Sequence, residues 1–204
     1  DEVHDAQLAV MTSTLLPLLA RRVGVVDGYF LQFMQSLRYY ISLDRRHELL
    51  FRYTPELRWE REVHEQLRGL HGTRICLPYV FFHYGYASDG STIAAKWTQY
   101  RDLGDPTFRG QEVPVTPQMF DNDIPRCLPL RRPHPSALRL LAENPSHAEH
   151  FHARVVERLA QPGPRLSALA RRTNYRVMLL GRALQSTLVL PPTCWPSILR
   201  MSLS

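Results

Sequence analysis

Apolar positions along the chain recur mostly at steps of three and four. In residues 3–22, Leu8, Met11, Leu15, Leu18 and Leu19 share one side of an amphipathic helix, with Pro17 as a kink and Arg21 and Arg22 in its last turn. Asp27-Gly28 marks a turn. Over 29–43, Phe30, Phe33, Met34, Leu37 and Ile41 fit a second helical face, which 44–52 continues. Thr54-Pro55-Glu56 has the chemistry of a helix start, with Thr as cap and Pro in the first turn. Leu57, Val63, Leu67 and Leu70 then line one side of the run that follows, ended by Gly69 or Gly72.

The pattern changes at residue 73. Residues 73–135 hold eight of the sixteen prolines. The aromatic run 77–86 reads as one strand or a packed extended segment. Ser88-Asp89-Gly90 is a turn signal, 91–101 predicts a short helix, and 102–135 reads as extended chain with at most one helical turn at 117–122. Phe108, Met119, Phe120, Ile124 and Leu128 recur there and Gly and Ser are scarce, so the segment reads as an arm that packs on something. Helical patterns return at 136–143, at 145–161 with Asn144 as cap, and at 165–172 and 174–190, with Pro162-Gly163-Pro164 as a break. The expected fold is mostly α. Two small helical lobes, 1–72 and 136–204 with its tail, are joined by the long proline-rich irregular arm 73–135.

Composition narrows the functional classes. With 204 residues and 44% hydrophobic content, the chain is long enough for a real core. No apolar run approaches the length of a membrane span; 177–190 comes nearest but is interrupted by Arg182 and Gln185. Cys76, Cys127 and Cys194 form no paired framework, which argues against a disulfide-stapled secreted domain. The chain begins at Asp1, which fits either a removed import presequence or a trimmed boundary. The net charge is +6, carried by 24 arginines and one lysine, Lys96. So lopsided a ratio points to a GC-rich coding bias before it points to mechanism. Arg nevertheless suits interfaces with carboxylates and phosphates.

Reaction machinery is not recognisable. Both the dinucleotide-binding glycine pattern and the P-loop are missing. His147, His150 and His152 lie close together, but 147 and 150 share a helical face from which 152 points away, so surface or interface histidines are the plainer reading than a metal site. Cys76 with His71 and His83 is the most concrete form of a Cys/His hydrolase, without a local motif behind it. Glu60, Glu62 and Glu65 alternate with arginines and read as a salt-bridged surface. The expectation is therefore no catalytic residue, no cofactor and no metal.

The basic residues remain. Residues 165–182 carry Arg165, Arg171, Arg172, Arg176 and Arg182 without an acid, and Arg131 and Arg132 sit in a second acid-free stretch. These seven are the candidate contacts for an anion or a partner, whether protein carboxylates, lipid headgroups or, less readily, nucleic-acid phosphates. The functional expectation is a non-catalytic accessory subunit of a large organellar assembly: a mitochondrial inner-membrane energy complex, either respiratory chain or ATP synthase, at the membrane or in the matrix. The alternative is a component of a mitochondrial ribosome or another ribonucleoprotein that holds RNA phosphates through its arginines. A viral structural protein from a GC-rich genome follows, and the Cys/His hydrolase comes last.

Overall fold

Val23, Val25, Val26, Tyr29, Leu31 and Phe33 alternate with residues that are themselves nearly all buried. A run that is apolar on both sides and rich in β-branched and aromatic residues is the signature of a central strand. In the computed structural model, which describes residues 2–3, 13, 16–19, 23–61, 63, 65–105, 108, 115–131, 134–138, 149–188, 192 and 195–196, this run is strand β2, Val23–Phe33. It pairs antiparallel with β3, Tyr39–Phe51, and parallel with β6, Thr73–His83. Two-residue strands close the edges: β1, Glu2–Val3, on β6 and β7, Leu128–Pro129, on β3. The sheet order is β1-β6-β2-β3-β7.

The expected mostly α fold of two helical lobes and an irregular arm is thus corrected to a sheet-rich fold. The predicted helix over 29–43 is the β2–β3 hairpin, and its continuation over 44–52 is the rest of β3. The predicted helix after Thr54 is a small hairpin of β4, Arg58–Glu60, and β5, Gln66–Arg68. Of the predicted helix over 3–22, the described part shows one α-helical turn, α1, Leu16–Leu19, and a helical Ser13, while Val3 belongs to β1.

The link from β3 to β6 passes under the start of β2. Arg52 donates its N–H to the Gly24 carbonyl at 2.9 Å. A Cβ at position 24 would lie 1.8 Å from the His71 carbonyl oxygen, so only glycine lets the crossing chain through. Pro78, which has no N–H to give the ladder, falls where the β2–β6 register breaks, between Asp27 opposite Cys76 and Tyr29 opposite Val80.

Helices cover the sheet unevenly. Helix α2, Gly90–Asp102, starts at the turn signal: the Asp89 carboxylate accepts from Ser91 N and Thr92 N at 2.9 and 3.0 Å, and those hydrogen bonds, with the Thr92 hydroxyl first, hold its pKa down. A 3-10 segment, Pro117–Arg126, follows, and another, Ser136–Leu138, falls in the first part of the helix expected at 136–143, whose remainder lies outside the described residues. Helix α3, Glu149–Ala160, lies within the helix expected at 145–161. The break expected at Pro162-Gly163-Pro164 falls at Gln161, and helix α4, Pro162–Thr187, follows with Pro162 in its first turn, where a missing N–H costs nothing; α4 runs on through residue 173, joining the expected segments 165–172 and 174–190.

Two apolar clusters form among the described residues. Tyr29, Leu31, Phe33, Leu43, Val80 and Phe82 of the sheet meet Ala168 and Leu179 of α4. Met34, Tyr39 and Ile41, at the turn of the β2–β3 hairpin, meet Ile93 of α2, Phe120 and Ile124 of the 3-10 segment, and Phe151 and Val155 of α3.

His134 closes the first cluster. Its ring lies 5.8 Å from Phe33, 6.0 Å from Phe82 and 5.8 Å from Tyr84, and its Nδ1 shares a 2.8 Å hydrogen bond with the Tyr84 hydroxyl. Burial, partly opposed by a hydrogen bond with the Leu37 backbone, holds its pKa below the ordinary histidine value. The unfolded chain therefore takes up this proton first, near pH ~6.5. The stabilisation is complete above that pH and is lost as pH falls from there through the lower folded value. His134→Gln is expected to flatten the fall in urea midpoint between about pH 7 and 5 relative to the parent chain. An unchanged slope would show that His134 is not a contributor.

Candidate partner-docking face

Helix α4 has 26 residues, so it runs for about 39 Å. Ala168, Leu179, Ala183 and Ser186 are buried toward the sheet, with Arg171, Arg172, Tyr175, Met178 and Arg182 half-buried beside them. The opposite side carries Leu166, Leu169, Thr173, Val177, Leu180 and Leu184, with Leu188 at the cap. At 100° per residue these seven fall within about 100° of arc, a single seam centred opposite the buried face, apolar but for Thr173, whose hydroxyl donates back to the Leu169 carbonyl at 3.1 Å. The seam is open: Leu169 is 59% exposed, Val177 64% and Leu184 55%. Val156 of the neighbouring helix α3 is also exposed, at 50%. Scattered exposed leucines are ordinary on a protein surface, but a continuous stripe at helical spacing marks an interaction surface.

The candidate arginines divide into committed and open groups. Arg171 donates to the carbonyls of Arg126 and Pro125, both at 2.9 Å, which ties the 3-10 segment to α4. Arg172 donates to the Pro129 carbonyl at 2.8 Å. Arg182 donates through Nε to the Tyr29 hydroxyl at 3.1 Å and through Nη1 to Gln185 Oε1 at 2.8 Å. The Tyr29 phenol is pushed up by burial first and by Cys76, with Arg182 pulling it back. Arg165 and Arg176 are exposed and have no carboxylate partner among the described residues. Arg131 is exposed at the end of β7, and Arg132 lies outside the described residues.

Three of these arginines meet at one place. Arg131, Arg172 and Arg176 border an apolar hollow of about 80 Å³ between α4 and the sheet, floored by Leu31, Leu43, Val80 and Leu179 and flanked by Tyr40 and Tyr175. A hollow of this size takes one apolar side chain, and the guanidinium rim favours a carboxylate beside it. The arginines stand out in the sequence, whereas the seam does not, because the pattern divides α4 into two helical segments, 165–172 and 174–190. The available signal was the spacing 166, 169, 173, 177, 180, 184 read across that false break.

The other candidates do not converge. Cys76 packs in the cluster under α4, whereas His83 stands on the opposite sheet face against Phe30, with ring centroids 5.4 Å apart, and His71 is an exposed loop residue. Burial pushes the Cys127 thiol up to about 12, so it is no nucleophile at neutral pH. Cys194 and His147 lie outside the described residues, as does the side chain of His150; His152 Nδ1 shares a 2.6 Å hydrogen bond with the Tyr39 hydroxyl. No group of three or more His, Cys, Asp or Glu among the described residues is placed to hold a metal ion. Glu60 pairs with Arg58 and Arg68, each at 3.1 Å, on the β4–β5 hairpin, and Glu62 lies outside the described residues. Among the described residues, no helix is long and apolar enough to cross a membrane. No protein family, curated protein or solved structure matches the chain.

Proposed function

We propose that the chain is a non-catalytic accessory subunit that docks into a larger assembly by laying α4 against an acidic amphipathic helix of a partner protein. The exposed apolar seam of α4 carries this reading. It is a second hydrophobic face on a helix whose first face already satisfies the sheet. Charge selects the occupant: α4 holds five arginines and no acid, so a second copy of α4 would bring like charges together, whereas flanking carboxylates on a partner would meet Arg165 and Arg176. The assembly we propose is a mitochondrial inner-membrane energy complex, in keeping with the net charge of +6 and the arginine-biased composition. Protein carboxylates are favoured over RNA phosphates because Arg171, Arg172 and Arg182 already spend hydrogen bonds on carbonyls, a hydroxyl and an amide of the same chain.

The test is Val177→Asp with Leu184→Asp. Both side chains are exposed, so stability is expected to change by less than about 1 kcal/mol. Affinity for the partner is expected to fall about 100-fold. Native-gel migration of a tagged chain in its source organelle reads this out: the parent chain runs in a large complex and the double variant runs free. A variant that still runs in the complex overturns the proposal. So does a complex dispersed by ribonuclease, which would point to RNA, or one that contains only copies of this chain.

A further inference from the structure

The sheet face opposite α4 is a cleft of about 1040 Å³ between the β4–β5 hairpin and α2. We propose that this cleft binds a small ligand with a planar apolar body and an anionic head. The volume slightly exceeds the roughly 300–1,000 Å³ of small-molecule sites, so a ligand would fill part of it. Its lining combines the two things such a ligand needs.

The first is a fixed cation. Lys96, the one lysine in a chain of 24 arginines, projects from α2 into the cleft. Its ammonium lies 4.9 Å from the Tyr86 ring centroid and 5.6 Å from that of Tyr100, and donates to the Gly85 carbonyl at 3.3 Å. Two tyrosine faces hold the charge in place without neutralising it. His83 Nε2 reaches the same spot: a Cβ at position 85 would lie 2.7 Å from it and 3.3 Å from Lys96 Nζ. Glycine at 85 is what allows imidazole and ammonium to close over the backbone together. The carboxylates that line the cleft are Glu48, bound by Arg74 at 2.8 Å, and Glu65, beside β5. Strand register puts Glu48 toward the Asp27 end of β2 and His83 opposite Gln32, toward the other end. Among the described lining residues Lys96 is the cation at the α2 end, with buried Asp105 acting on Tyr86 from outside the lining, while Arg68 and Arg74 accompany the two glutamates.

The second is a planar wall. Phe30 lies on the floor, Tyr86 and Tyr100 stand beside Lys96, and Trp59 faces them from the hairpin with 63% of its surface exposed. Rings on several sides of a cleft offer stacking to a flat ligand. A lysine presents a compact point charge that accepts a carboxylate or a phosphate equally.

Three probes that share a ring test this: 2-naphthoate, 1-naphthyl phosphate and the uncharged 2-naphthalenemethanol, titrated into the full chain by calorimetry and tryptophan quenching. At least one anion is expected to bind one-to-one and about ten-fold tighter than the neutral probe. The tighter of the two anions identifies the head group. Lys96→Met is expected to abolish the preference by weakening the anion about ten-fold while leaving the neutral probe unchanged. Trp59→Ala, at an exposed side chain, weakens charged and neutral probes alike and serves as an independent arm. The Val177→Asp/Leu184→Asp variant keeps full binding, so this site and the docking face fail or stand separately. Absence of saturable anion binding at millimolar probe overturns the proposal. So does an anion preference that survives Lys96→Met, or binding that is lost with the α4 variant.

Discussion

Asp27→Ala is expected to lower the unfolding free energy by about 3 kcal/mol, the low end of the range for breaking a buried ion pair. The carboxylate is wholly buried. Arg74 Nη1 donates to its two oxygens at 3.2 and 3.4 Å, and the Glu48 N–H donates at 3.0 Å. The second bond exists because β3 carries extra residues here: Val26 pairs with Leu50 and Gly28 with Arg46, and Glu48 between them has φ +54°. Its N–H is turned out of the ladder and finds Asp27 instead. Alanine would leave that N–H and the guanidinium without this acceptor at once. The low end applies because Arg74 is 38% exposed and water reaches it, as does Glu48 at 2.8 Å. Asp27→Asn keeps the shape and one acceptor oxygen and is expected to cost less. Arg74→Met should cost at least as much as Asp27→Ala, since it strands the wholly buried partner. Urea unfolding followed by tryptophan fluorescence measures all three. A loss below about 1 kcal/mol for Asp27→Ala would place Asp27 among ordinary surface pairs.

How much of this was legible depends on where two periods compete. In 29–43, Phe30, Phe33, Met34, Leu37 and Ile41 fit a helix, while Tyr29, Leu31 and Phe33, then Tyr39, Ile41 and Leu43, fit strands. Central strands are apolar on both sides, so their runs satisfy either template, and periodicity cannot choose. The deciding signals are the aromatic excess and the small polar break at Gln35-Ser36, where Gln35 takes φ +53°. The helix start at Thr54 failed differently. Thr54 Oγ1 donates to the Gly69 carbonyl across the hairpin at 3.2 Å, a long-range use of the hydroxyl that no local motif discloses. Where one period was unopposed, local reading held. Asp89 caps α2 at its turn signal, the run 77–86 falls largely within β6, and 149–160 is helical. Arg131, Arg172 and Arg176 were legible as charge, but their meeting at one hollow depends on β7 lying under α4. Lys96 was legible only as an oddity of composition, because its neighbours Tyr86 and His83 reach it through the sheet.

Phe33→Ala is expected to cost about 3–5 kcal/mol, a large share of the roughly 5–15 kcal/mol that holds a typical domain together. Phe33 is fully buried at the end of β2, paired across the hairpin with Tyr40. Its ring stacks on Tyr84 at 4.8 Å, meets Phe82 edge-on at 5.7 Å and lies 5.8 Å from His134. It therefore joins the sheet to the segment that brings in His134. Phe33→Leu fills most of the space and is expected to cost clearly less. The same substitution has a second consequence that separates its contacts from general loosening. Phe33 is part of the burial that holds the His134 pKa down. Removing the ring lets water reach the imidazole, so the His134 pKa should rise toward the ordinary value of about 6.5. The acid-side loss of stability should then shrink, on top of the lower baseline at neutral pH. Urea midpoints across pH, with the His134 ring resonances followed by NMR, test both parts. A variant that is destabilised while His134 titrates as before would show that Phe33 supports the sheet without shielding the histidine.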